Sequence, residues 1–291
     1  MPAQLKEVRN RMKSVQSTQQ ITKAMKMVSA SKLRRATDRI VKMRPYANKM
    51  QEVMSHIASG SGINIELAKE REIKSVLIVP VTSDRGLAGA FNSNIVKLAK
   101  QLIEEKYHAE AKSKKVTVMP VGKKAYDAFK RSGHNIKSDF FEMFLHLSFD
   151  ESLKASEWMM QAYKNGEYDV IEIVYAQFKN AATQIFKVER FLPVPKADTG
   201  KKKESINYIF EPDQDELVNA LIPRVLNTQF FKSLLDSNAS EHGARMTAMD
   251  KATENAQELL RDLSIKYNRA RQAAITTELS EIVGGAAALQ G

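Results

Sequence analysis

The sequence predicts an α/β chain in which a long antiparallel coiled coil of N- and C-terminal helices accompanies a central α/β domain. Three observations carry this. Residues 3–44 contain no Gly or Pro and hold a heptad pattern. From 213 to Val283 only Pro223 and Gly243 interrupt a second helical stretch. Between the two, the hydrophobic period shortens to strand-like runs rich in Val and Ile. The boundaries read as 1–58 for the first coiled-coil helix, 59–212 for the α/β domain with its linkers, and 213–291 for the second helix.

With Leu5 as an a position, the a set is Leu5, Met12, Gln19, Lys26, Leu33, Ile40, Ala47 and Met54. The d set is Val8, Val15, Thr22, Ser29, Ala36, Met43, Met50 and Ile57. Apolar residues dominate both sets, as a coiled-coil seam requires. Pro45 falls inside the pattern, but the heptad resumes in phase after it, so the helix is expected to continue past it to SGSG at 59–62. The failures of the seam, Gln19, Thr22, Lys26 and Ser29, are consecutive, while Ile21, Ala24, Met25 and Val28 supply apolar atoms off-register. A contact between two helices does not require that change, so the local face is expected to be shared with something outside the chain.

The second helix has a start signal in EPDQDEL (211–217), where Asp213 is placed to cap and Glu216 follows three residues later. Its seam is read as Met249, Ala252, Ala256, Leu259, Leu263, Ala270 and Ala273, with many small side chains that let helices approach closely. A long helix cannot bury its seam alone, so the two terminal helices are expected to pair antiparallel. Pairing would bring the polar cluster Arg271, Gln272, Thr276, Thr277 and Glu278 near Met25 and Lys26, or somewhat before them. The nearly uncharged tip that follows, Ile282 to Leu289, would be sticky if exposed and is expected to sit in a hydrophobic sleeve.

In the middle, SVLIVPVT (75–82), KVTVMPVG (115–122) and YDVIEIVYAQF (168–178) read as strands, with helices around 92–106, 122–132 and 150–165 between them. TQIFKVERFLPV (183–194) follows closely enough to be an antiparallel hairpin partner, and ADTGKKKES (197–205) reads as a loop. SDRGLAGAFN (83–92) follows the first strand, where α/β folds place phosphate loops. Its spacing matches neither phosphate-binding glycine motif, so a structural turn or subunit contact is the better reading.

Composition narrows the function. The chain has no cysteine, which excludes disulfides, thiolate metal sites and cysteine nucleophiles. Five scattered histidines lack ligand spacing, and no catalytic constellation, metal site or cofactor site emerges. Of the net charge of +11, residues 1–58 hold +10 whereas residues 213–291 hold −3. A basic rod can serve nucleic acid, an anionic membrane or an acidic protein. Tyr46 is the lone aromatic residue of that rod, which weighs against the alternative of a basic coiled-coil nucleic-acid-binding protein. An enzyme using the middle domain and Arg85 is a third reading. No apolar run is long enough to span a membrane, and the start lacks a secretory h-region.

QQITKAMKMVSASKLRRA (19–36), SDRGLAGAFN (83–92) and YNRARQAAITTELSEIVGGAAAL (267–289) together resemble the gamma subunit of the F-type rotary ATP synthase, in order and spacing over the whole chain. The resemblance implies a rotor shaft. Its terminal helices would form an antiparallel coiled coil inside a ring of three alpha and three beta subunits. A central Rossmann-like α/β domain would sit with the epsilon subunit, and the foot would rest on the membrane c-ring. Ion-driven rotation would then drive the beta sites through their nucleotide states, gamma itself binding no nucleotide and needing no cofactor. Lys23, Met25, Lys26, Arg271, Gln272, Thr276 and Glu278 match the family's beta-subunit contacts, and Tyr208 and Glu211 its c-ring and epsilon contacts. Ala88 stands where many relatives have cysteine, and the short linker after Pro195 lacks the plastid dithiol insertion. With no transit peptide, the resemblance favours a bacterial source and a peripheral location on the cytoplasmic face of the inner membrane.

Overall fold

The computed structural model describes residues 3–59, 66–194 and 214–290. The chain forms two compact units, Ala30–Arg245 and the pair Met1–Ser29 with Met246–Gly291. Two long helices, α1 (Ala3–Ser59) and α6 (Gln214–Gln290), contribute to both. As the heptad phase requires, α1 runs on through Pro45. The capping residue expected at Asp213 and the loop expected at 197–205 lie outside the described residues.

The larger unit is built on a five-stranded sheet in the order β3-β2-β1-β4-β5. β1 (Val76–Pro80) pairs parallel with both β2 (Val116–Val118) and β4 (Val170–Phe178), and β2 pairs parallel with β3 (Asn135–Ile136). β5 (Gln184–Leu192) returns antiparallel to β4, the expected hairpin. Every residue of β1 is buried, which is why its sequence is a continuous apolar run rather than an alternation. β5, at the edge, alternates and leaves Ile185 and Val188 partly in solvent.

Helices cover both faces. On one face α2 (Phe91–Lys106) and α4 (Lys123–Arg131) pack Ile95, Ala99, Ile103, Ala125 and Phe129 against Val76, Ile78, Val118 and Val174. On the other, α5 (Phe149–Lys164) and the start of α6 pack Met159, Tyr163, Leu226 and Phe230 against Leu77, Val79 and Ile173. The short helix α3 (His108–Lys112) and strand β3 were not legible in the sequence, because so few residues cannot display a period. The sequence thus builds the Rossmann-like, three-layer α/β arrangement. Its crossovers change face between β1 and β4, the topological switch point at whose carboxyl edge folds of this kind bind ligands. Within the same unit, Ala36 and Ile40 of α1 pack against Leu235 and Ala239 of α6, an antiparallel contact.

Candidate functional site: the helix pair and the strand-end crevice

In the smaller unit, the α1 residues withdrawn from solvent include the predicted a and d positions Leu5, Val8, Met12, Val15, Gln19, Thr22, Lys26 and Ser29. On α6 the matching seam is Met249, Thr253, Ala256, Leu260, Leu263, Tyr267, Ala270 and Ala274, spaced alternately by four and three. Leu259 and Ala273, assigned to the seam from sequence, face solvent. Adjacent leucines and interchangeable alanines leave the phase of that stretch undetermined by pattern alone.

The polar break in the seam has a different cause from the one expected. Thr22 and Ser29 are only 9% and 3% exposed and face the pairing helix of the same chain, whereas Ile21, Met27 and Val28 are 57%, 61% and 57% exposed. Polarity is inverted over this stretch. The threonine hydroxyls are satisfied locally: Thr22 donates to the Gln19 carbonyl at 3.0 Å, Thr253 to the Met249 carbonyl at 2.7 Å, and the two hydroxyl oxygens lie 2.8 Å apart. Burial of Thr22 therefore leaves no orphaned donor. One layer away Lys26 pairs with Asp250, both side chains still less than half exposed. The seam is polar because it holds a polar layer of its own, and the apolar atoms displaced from it form the outer face.

The predicted contact residues fall into separate places. Lys23 and Lys26 line one shallow groove of about 520 Å³ with Gln19, Gln20, Met27, Asp250, Thr253, Glu254 and Gln257. Met25 is half-buried beside them, and Arg271, Gln272, Thr276 and Glu278 are all exposed. The Thr22–Thr253 and Lys26–Asp250 pairs fix the register, which puts Arg271 opposite the start of α1 and Thr276 and Glu278 past it. Of the two expected places, the cluster therefore takes the one before Met25 and Lys26, not alongside them. It lies roughly 30 Å further along the helix, twenty-one residues at ~1.5 Å each. Thr276 and Thr277 turn their hydroxyls back to the Gln272 and Ala273 carbonyls, at 2.9 and 3.0 Å. Ile275, Leu279, Ile282 and Val283 form an exposed apolar stripe beyond. Tyr208 and Glu211 lie outside the described residues.

In the larger unit, the crevice at the carboxyl ends of β1 and β4 is filled by α6 itself. Ser237 donates to the Val81 carbonyl at 3.1 Å and Ser240 to the Ala176 carbonyl at 3.0 Å. Asp236 accepts from the Phe178 amide at 3.3 Å and from Arg44 at 2.9 Å, and Arg44 also bonds the Phe178 carbonyl at 2.7 Å. Arg245 pairs with Glu241 and reaches the Arg85 and Gly86 carbonyls at 3.2 and 3.3 Å. The loop 83–92 is tied to itself and to the start of α4, Asn92 accepting from the Ser83 amide at 2.9 Å and Asp84 from the Lys123 amide at 3.1 Å. Its backbone serves the fold, as its spacing predicts. The loop stands out in the sequence, but Asp236, Ser237, Ser240 and Arg245 of α6 do not, because polar and charged residues inside a helix read as its solvent face.

Burial dominates the titration of this region. It pushes the Asp236 carboxyl up, with the Arg44 hydrogen bond pulling it back, and pushes Glu241 up against the pull of Arg245. His242 is held down to about 4 by burial, reinforced by Arg245 and Lys32, so its imidazole is neutral. Among the described residues, no group of three or more His, Cys, Asp or Glu is arranged to hold a metal ion.

A helix pair with a polar layer in its seam, made by the two ends of a chain whose middle is an α/β fold, defines a class, that of a coiled-coil protein with an inserted α/β domain. A family model described as ATP synthase matches residues 4–289. The ATP synthase gamma chain of Cytophaga hutchinsonii is 56% identical over 294 residues, covering 99% of this chain and 99% of its own. That of Christiangramia forsetii is 50% identical over 291 residues, covering 99% of this chain and 100% of its own. In the Euglena gracilis mitochondrial ATP synthase, a chain of the OSCP/F1/c-ring structure aligns with a TM-score of 0.69 at 22% identity, over 98% of this chain and 94% of that one. A chain of the rotor of that enzyme aligns with a TM-score of 0.63 at 21% identity, over 93% and 98% respectively. The chain belongs to the ATP synthase gamma-chain family. The nucleic-acid alternative finds no support among these relatives.

Proposed function

We propose that this chain is the non-catalytic central rotor shaft of an F-type ATP synthase, turned by the ion-driven c-ring and turning within a ring of three alpha and three beta subunits. Full-length identity to gamma chains carries the reading. The inverted polarity of the helix pair supports it physically. A shaft in a socket must hold its own two helices together while gripping its surroundings weakly. Exposed ion pairs are worth only ~0–1 kcal/mol, so basic residues such as Lys23 can face acidic loops of beta without trapping one angle. The outward Ile21, Met27 and Val28 add apolar contact, which has no preferred direction.

On this reading Lys23, Met25 and Lys26 serve one level of beta contact, with Lys26 already committed in part to Asp250. Arg271, Gln272, Thr276 and Glu278 serve another, some 30 Å away along the helix. The apolar stripe beyond is suited to a hydrophobic sleeve. Tyr208 and Glu211 are assigned to the c-ring and epsilon contacts. No helix among the described residues is long and apolar enough to cross a membrane. Attachment to the cytoplasmic face of a bacterial inner membrane would therefore run through the complex. Native mass spectrometry of the chain purified from its own cells at moderate salt tests the reading. One copy held with three alpha-like and three beta-like subunits is expected. A lone chain, or one carrying nucleic acid, would refute it.

A further inference from the structure

We infer that the strand-end crevice of the α/β domain is a torque joint, in which residues 236–245 of α6 occupy the place of a ligand so that the domain and the helix turn as one body. The inference rests on the rotor reading, and four observations lead to it. First, the position is the switch point between β1 and β4, where a fold of this order presents unpaired loop amides and carbonyls to whatever binds there. Here the α6 side chains take those groups.

Second, the serines depart from the local rule. A serine inside a helix ordinarily bonds back to its own helix, as Ser233 does to the Phe230 carbonyl. Ser237 and Ser240 instead reach out to carbonyls of Val81 and Ala176, at the ends of two different strands. Third, the outermost anchors lie on opposite flanks. Asp236 and Arg245 are nine residues apart, about 180° around the helix and about 14 Å along it. Asp236 is tied to Phe178 at the end of β4, Arg245 to Arg85 and Gly86 beyond β1. A helix held along one line can roll, whereas one held from both flanks stretches a bond whichever way it rolls. Fourth, the helix backbone is seated directly on loop backbone. A Cβ added at Gly243 would stand 3.1 Å from the Ala181 carbonyl oxygen and 3.2 Å from its Cα.

Stability alone does not call for this design. Apolar side chains would bury the same surface without desolvating Asp236, Glu241 and Arg245. What apolar contacts lack is direction, and a joint that carries twist needs directional, close-packed contacts that transmit strain. The functional link is covalent, since α6 is one helix from Gln214 to Gln290.

The chain has no cysteine, so Lys97→Cys on exposed α2 gives a unique attachment point for a bead on the domain. In the assembled complex, immobilised through beta, ATP-driven rotation and the angular fluctuation of the bead during a pause are recorded together. Ser237→Ala/Ser240→Ala/Arg245→Lys keeps the Glu241 charge pair, removes both serine bonds and the guanidinium anchor on the β1 flank, and leaves Asp236 on the β4 flank. It is expected to rotate and hydrolyse ATP like the parent, but with an angular variance about twofold larger, because a softer joint adds compliance in series. Rotation with unchanged variance overturns the joint and leaves the rotor reading intact. Absence of rotation in the parent overturns both. Hydrogen exchange of the unaltered full-length chain needs no variant to fold. Amides of 236–245 are expected to be protected about tenfold or more over those of 256–265, and equal protection overturns the inference.

Discussion

Arg44→Ala isolates the buried carboxylate at the heart of the crevice. Asp236 has no exposed side-chain surface, while the Arg44 side chain that pairs with it is 35% exposed. One oxygen of Asp236 takes both bonds, from Arg44 and from the Phe178 amide, and the other is buried without a hydrogen-bond partner among the described residues. Removing the guanidinium leaves a carboxylate facing apolar neighbours with one amide for support. Breaking a fully enclosed pair costs several kcal/mol. Because water reaches Arg44, the loss expected at neutral pH is about 2–3 kcal/mol. The sign of the pH dependence follows from protons. The folded carboxyl already titrates above its ordinary value, and loss of Arg44 raises it further. The folded variant then binds a proton where the unfolded chain does not, so its stability is fully present below the unfolded value of 3.8 and is lost as pH rises through the folded one. The deficit relative to the parent should therefore be largest near pH 8 and shrink toward about pH 5. Urea unfolding followed by the fluorescence of Trp158, the single tryptophan, reads this unit directly. Arg44→Ala/Asp236→Asn should recover most of the loss. A deficit equal at both pH values, with no recovery by Asn, would refute the reasoning.

Three further outcomes are expected. Met25→Lys, a charge added to the half-buried edge of the helix pair, should impair coupling more than assembly; normal ATP-driven ion pumping in membranes of that variant counts against the contact assignment. Gly122 has φ +97 and a substituted Cβ would meet the Thr82 carbonyl oxygen at 2.2 Å, whereas Gly133, at φ +72, has open space around it. Gly122→Ala should cost about 3 kcal/mol or more and Gly133→Ala about 1 kcal/mol, as measured by urea midpoints. His242, neutral between Arg245 and Lys32, contributes stability that is present above the unfolded value of 6.5 and lost as pH falls through about 4. His242→Gln should abolish up to about 3 kcal/mol of that acid-side loss, and an unchanged stability profile between those pH values would show that the ring is not buried neutral.

How much of this could be read in advance differs by element, for physical reasons. The N-terminal seam was legible to the residue because its period survives where its polarity does not: Gln19, Thr22, Lys26 and Ser29 occupy the positions that the heptad assigns. Their polarity alone does not reveal what they face, since polar residues on a seam can satisfy one another as well as a foreign partner. The α6 seam was legible only as a helix face, because alanine beside alanine and Leu259 beside Leu260 give no contrast to set the phase. The central strands showed themselves as Val- and Ile-rich runs, and the β4–β5 hairpin by its short connection. The crevice could not be read. Ser237, Ser240 and Arg245 gain their role from carbonyls more than fifty residues away in sequence, and nothing local distinguishes them from a solvated face.

The polar layer of the helix pair is better explained by register than by stability. Its ion pair is part-exposed and worth ~0–1 kcal/mol, and its threonines already bond their own helices. An apolar seam of leucines and alanines would be nearly as content after a slip of one heptad. The polar layer would not. Moving α6 by seven residues puts Lys26 opposite Gln257 or Gly243 and Thr22 opposite Leu260 or Met246, losing the ion pair and burying a hydroxyl against an apolar side chain. A single polar seam position is known to select register at some cost in stability. In a shaft loaded along its length, that selection matters more than a few tenths of a kcal/mol of helix pairing. A slip would carry Arg271, Gln272, Thr276 and Glu278 about 10 Å away from the level at which they are proposed to meet beta. The residues that look least suited to a coiled coil are thus the ones that keep its two contact levels at a fixed spacing.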